Sequence, residues 1–174
     1  GDQGAAFTII ISPLAQQTCN NSPDFSTFPP VVLCVNEPLV FDHSATDVEN
    51  DQVVYEFCSP LSSGGQQNGN GCQSVIPSPA VCLPPFKAVN FLLPGFSFSV
   101  PMAGSPLVSI DPVSGLITGT PQITGQFVVG VCIKEYRNGV LLSSTQRDFQ
   151  FNVQQCARVV TPLVDTEFKE RDTF

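Results

Sequence analysis

Gln126-Phe127-Val128-Val129-Gly130-Val131-Cys132-Ile133-Lys134-Glu135-Tyr136-Arg137-Asn138-Gly139-Val140 decides the fold. From Gln126 to Lys134 the residues alternate, and Phe127, Val129, Val131 and Ile133 share one side because successive strand residues point to opposite faces. Arg137-Asn138-Gly139-Val140 then reads as a hairpin turn of the Asn-Gly kind, where both central residues tolerate positive φ. A long strand from Leu141 to Val153 returns the chain. The unit is antiparallel β.

The same signals extend upstream. Gln52 to Phe57 alternates, with Val53, Tyr55 and Phe57 on one side and Val54, Glu56 and Cys58 on the other. Leu107 to Pro121 holds two short strands around an Asp111-Pro112-x-Ser114-Gly115 turn, in which Gly115 supplies positive φ and Asp111 caps the turn. Phe7 to Ile11 is a short apolar strand ended by Pro13, and a strand at Val31 to Val35 is expected to lead into Leu39 to Phe41. No helix of ordinary length is expected. Val, Ile, Thr and Phe between 16 Pro and 13 Gly suit strands, so the fold class is all-β, a sandwich with extended terminal strands.

A net charge of −8, with only seven Lys and Arg, argues against nucleic acid and against an anionic membrane surface. No transmembrane run or signal peptide is present, so Gly1 reads as a processed N-terminus or the cut edge of a longer chain. Seven cysteines with one histidine and no CxxC pair point to disulfides in an oxidising compartment rather than to zinc. Sequence spacing does not fix the pairing. Cys72 with Cys82 would staple the long 59–85 loop to itself, and Cys58 with Cys132 would join two strands beside Glu56 and Lys134. Cys19 with Cys156 would tie the ends of the sandwich and leave Cys34 odd. The expected organisation is an N-terminal arm over 1–18, a sandwich over 19–156 with 59–85 inserted, and a C-terminal arm or linker over 157–174.

The stretch Phe41 to Tyr55 carries the one candidate binding site. Asp47, Glu49 and Asp51 alternate on an irregular loop just before a strand, with Asp42 upstream. Oxygen ligands spaced in this way are what a hard cation such as Ca²⁺ requires. Asp42 or a backbone carbonyl would complete the shell, and the ion would rigidify one pole of the sandwich. The structural alternative is a solvated turn, since Asp and Asn favour turns. His43 lacks the partners of a catalytic triad, and the near absence of Tyr and Trp disfavours sugar stacking.

Residues 109–133, SIDPVSGLITGTPQITGQFVVGVCI, resemble the Ile-Asp-Pro-x-x-Gly-Leu-Ile-x-Gly-x-Pro hallmark of Ig-like domains of the cadherin/dystroglycan-like group. Residues 43–57, HSATDVENDQVVYEF, resemble the Asp-Pro-Asp-Gly-Asp loop of that group, with Val48-Glu49-Asn50 in place of Pro-Asp-Gly. The span from Asn20 to Cys156 is similar to modules repeated in large surface proteins of Bacteroidota. The resemblance implies an Ig-like sandwich on a secreted or cell-surface protein and adds to the calcium reading. Function is then expected to be non-catalytic: a calcium-stiffened structural module of an adhesin or fibre, contacting neighbouring domains. The alternative is a subunit whose terminal strands, Phe7 to Ile11 and Val159 to Phe168, add to the sheets of identical subunits and build a filament. A carbohydrate-binding module is a weaker third reading.

Overall fold

A computed structural model describes residues 7–62, 86–92 and 94–157. Its central feature is the hairpin of β11 (Gly125–Arg137) and β12 (Val140–Gln154), paired antiparallel along their length. The turn is built by Asn138 and Gly139, at φ 52° and 78°, the left-handed values that this dipeptide tolerates. A register shift between Glu135 and Tyr136 marks an irregularity just before the turn.

Strands flank the hairpin on both sides. β6 (Gln52–Cys58) pairs with β11, while β12 carries β1 (Phe7–Ile11) antiparallel at one end and β3 (Val32–Cys34) parallel at the other. A second sheet has the order β4 (Leu39–Asp42), β10 (Leu116–Gly119), β9 (Ser109–Ile110). Two ribbons complete the set: β2 (Asp24–Phe25) with β5 (Ala45–Thr46), and β7 (Leu61–Ser62) with β8 (Lys87–Ala88). The protein is thus mostly β, in several antiparallel sheets. Among the described residues there is one short helix, α1 (Pro13–Gln17), a single turn in keeping with the expected lack of helices of ordinary length; Ser12 accepts from the Ala15 N–H and Pro13 opens the first turn. Proline ends the strand but also starts a helix well, because its missing N–H would be unsatisfied there anyway.

The two larger sheets share one core. Val129, Val131, Ile133, Phe151 and Val153 come from the hairpin, Tyr55 from β6, and Leu39, Phe41 and Ile117 from the second sheet. Asp111 Oδ1 accepts from the N–H groups of Val113 and Ser114, and the Gly115 N–H donates to the Asp111 carbonyl. Gly115 has φ +73°, and a Cβ there would lie 3.0 Å from the Tyr55 ring. The turn therefore closes directly onto the core. At the end of β10, Gly119 has φ +155° and a Cβ there would meet the Val108 Cα at 2.6 Å, so glycine is what lets the two backbones touch.

Among the described residues two disulfides are present. Cys58 and Cys132 are joined across β6 and β11, with Cα atoms 5.7 Å apart, next to the Lys134–Glu56 ion pair on the same side of the sheet. Cys156 bonds Cys34, Cα to Cα 5.3 Å, and this corrects the expected pairing of Cys19 with Cys156. The reason is register: parallel β3 places Cys34 beside Gln154, two residues from Cys156. Cys19 is exposed and, among the described residues, unpaired. Cys72 and Cys82 lie outside the described residues, as does most of the 59–85 loop. Disulfides are the mark of an oxidising, non-cytoplasmic compartment. Among the described residues no helix is long and apolar enough to cross a membrane.

Candidate functional site

The acidic loop leads into β6 and meets the turn end of the β11–β12 hairpin. Asp47 Oδ1 accepts from the Asp51 N–H at 2.6 Å, across the left-handed Asn50 at φ 59°. This ties the loop to itself. Asp51 is held by Arg137 in a two-pronged ion pair, with Nε and Nη2 each 2.7 Å from a carboxylate oxygen. The Asp51 side chain is only 4% exposed, which makes the pairing necessary, since a lone buried carboxylate is costly. The Asp51 hydrogen bond, ahead of the opposing effect of burial, holds the Arg137 pKa above its ordinary value. Arg137 Nη2 also donates to Asn20 Oδ1 at 3.0 Å.

Glu135 completes the group, and it is the residue the sequence reading missed. It occupies the core-facing side of β11 in line with Val129, Val131 and Ile133, and it is fully buried. The Ser143 hydroxyl and, at 3.4 Å, Asn20 Nδ2 donate to its Oε2. Burial is the main cause that pushes its pKa up to about 7, followed by a hydrogen bond with the Asp47 carboxyl; Asn20 opposes the shift, and the Asp47 and Asp51 charges add to it. Asn21 Nδ2 donates to Glu49 Oε1. Apart from a proton shared between Glu135 and Asp47, three buried carboxylate oxygens are without a donor: Asp47 Oδ2, Glu49 Oε2 and Glu135 Oε1. Buried carboxylate oxygens without a donor call for a proton or a cation.

The expected ligand set is thus partly brought together. Asp47, Glu49 and Asp51 belong to one hydrogen-bonded group, but Asp51 is already neutralised by Arg137. Asp42 stands apart on β4: it is exposed, accepts from the Ser44 N–H at 2.9 Å, and has its pKa lowered by Ser44. Among the described residues no three or more His, Cys, Asp or Glu side chains are arranged, as they stand, to hold a metal ion. The donor chemistry nevertheless fits a hard cation, since the unsatisfied atoms are all carboxylate oxygens. Asp111 caps its own turn, and its pKa is lowered chiefly by the Ser114 N–H.

His43 is buried, with both ring nitrogens lacking a hydrogen-bond partner. Its ring lies 5.2 Å from Phe25, 5.6 Å from Phe41 and 5.5 Å from Phe149. Burial, then the Arg147 charge, pushes its pKa down to about 4. A neutral imidazole therefore fills an aromatic nest, capped by the Arg147 guanidinium 4.1 Å from the Phe25 ring. Ser44, next in sequence, is turned to the Asp42 carboxylate through its N–H.

No family model matches this chain, and neither the curated proteins nor the solved structures contain a match to it.

Proposed function

We propose that the chain is a non-catalytic structural module of an extracellular, cell-surface adhesin or fibre, an Ig-like sandwich stiffened by calcium at the pole where the acidic loop meets the hairpin. The observation that carries the reading is the set of three donor-less carboxylate oxygens on Asp47, Glu49 and Glu135. They come from a loop and from the central hairpin, so one ion there would tie the two together. Asp51 would support the site through Arg137 rather than ligate. The disulfides and an acidic, lysine-poor composition suit the same setting. The resemblance to surface modules points the same way.

Thermal unfolding in calcium and in chelator tests the calcium part. Extracellular modules hold calcium with dissociation constants of about 0.1–1 mM. At about ten times Kd, binding adds about 1.4 kcal/mol, which for a domain of this size raises Tm by roughly 3–6 °C. Asp47→Asn should abolish the rise. An unchanged Tm in the wild-type protein rules calcium out.

A further inference from the structure

We propose that β1 is a homotypic docking edge: two copies of this chain join antiparallel, β1 to β1, about a two-fold axis through Ile10. β1 lies at the rim of the main sheet, with β12 on one side. Ser12 N–H donates to the Leu142 carbonyl at 2.9 Å, in phase with the β1–β12 register. In an antiparallel ladder hydrogen-bonded pairs recur every second residue. The backbone of Ile10 and Thr8 therefore turns inward to β12, and the N–H and C=O groups of Ile9 and Ile11 point away from it. Among the described residues these groups have no partner.

The side chains agree with the backbone. Ile9, Ile10 and Ile11 are 53%, 70% and 51% exposed, three consecutive large apolar residues on a sheet edge. Proteins usually guard such an edge with a charge, a proline or a bulge, and β1 carries none within its span. Leu14, Val140 and Leu141 add exposed apolar surface at the same end of the sheet.

A second copy is the occupant that these features fit. A two-fold axis at Ile10 sets Ile10 opposite Ile10 and each Ile9 opposite the other copy's Ile11, so every isoleucine meets an isoleucine. The Ile9–Ile11 pairs would be the hydrogen-bonded ones, with four backbone bonds in all. Charge also favours this edge. No Asp, Glu, Lys, Arg or His lies between Asp2 and Asp24, so two chains of net charge −8 approach through a neutral stretch. Two-fold pairing closes on itself and gives dimers, not polymers. The inference does not depend on calcium.

The test uses the full chain in a Cys19→Ser background with its disulfides intact. Sedimentation at up to about 0.5 mM, within the range expected of a small transient interface, should show a concentration-dependent dimer. Ile9→Lys, at an exposed position, should weaken it at least tenfold while leaving the circular dichroism melt in place. Register is read by cross-linking. Ile10→Cys should form a disulfide-linked dimer by itself, since the opposed non-hydrogen-bonded pair has Cα atoms about 4.5 Å apart. Ile9→Cys and Ile11→Cys should each fail alone and cross-link when mixed. A monomer at every concentration, a dimer indifferent to Ile9→Lys, cross-linking without register preference, or open polymers would each overturn the proposal.

Discussion

His43 and Glu135 are both fully buried, and they give stability opposite slopes against pH over the same interval. His43 falls from an ordinary 6.5 to about 4 in the folded state, so between those values the unfolded chain holds a proton that the folded one rejects. Stability therefore rises with pH across that window and is lost on acidification. Glu135 rises from 4.5 to about 7, so here the folded state holds the extra proton. Its contribution is complete below about 4.5 and is lost as pH climbs towards 7. Between about pH 5 and pH 6.5 the two shifts correspond to about 1.6 kcal/mol each, with opposite sign. They nearly cancel. The charged neighbours are known on each side: Arg147 and Asp42 for His43, Asp47 and Asp51 for Glu135.

Each substitution should unmask the other group. Urea unfolding in chelator at 25 °C, with disulfides intact, gives the stability at each pH. Relative to wild type, Glu135→Gln should gain about 1.6 kcal/mol over that interval, and His43→Leu should lose a similar amount. Titrations common to all three proteins drop out of the differences. The two difference curves should diverge with opposite signs. If both stay parallel to wild type within about 0.5 kcal/mol, the two groups do not have the environments described.

Two further outcomes concern the frame. Removing the 122-residue loop closure with Cys34→Ser and Cys156→Ser together should lower stability by about 4–5 kcal/mol by chain entropy; a loss below about 1 kcal/mol in urea titration would mean the bridge constrains little. Gly119→Ala, where the new Cβ would sit 2.6 Å from the Val108 Cα, should cost about 2–4 kcal/mol through backbone strain and displacement of β9, whereas an unchanged denaturation midpoint would refute the close approach.

The strands were legible in the sequence wherever one face is buried. Alternation marked β11 and β6, and Asn138-Gly139 marked the hairpin, because a period of two leaves its imprint only when one side meets the core. The Asp111-to-Gly115 turn was equally readable, since local hydrogen bonds determine it. Less readable was whatever depends on which strands become neighbours. Cys34 finds Cys156 through a parallel pairing of residues far apart in sequence, and no local pattern announces that. The acidic loop was visible as a candidate, but Arg137 claims Asp51 and Asp42 points elsewhere. The sequence does carry one signal for Glu135. It continues the parity of Val129, Val131 and Ile133, and a carboxylate on the apolar side of a strand already marks an unusual environment.

The Cys34–Cys156 bond also has a mechanical consequence. Tension applied between the chain before Cys34 and the chain after Cys156 passes through a covalent link and bypasses everything between them, including the hairpin, the second sheet and the acidic pole. Once β1 is peeled from β12, these elements carry no load under oxidising conditions and cannot be unravelled by pulling. Among the described residues only those from β1 to β3 can then give way, and about 27 residues at roughly 3.5 Å each reach at most about 95 Å when fully extended. Reduction of that one bond would turn a short, stiff link into an extensible one.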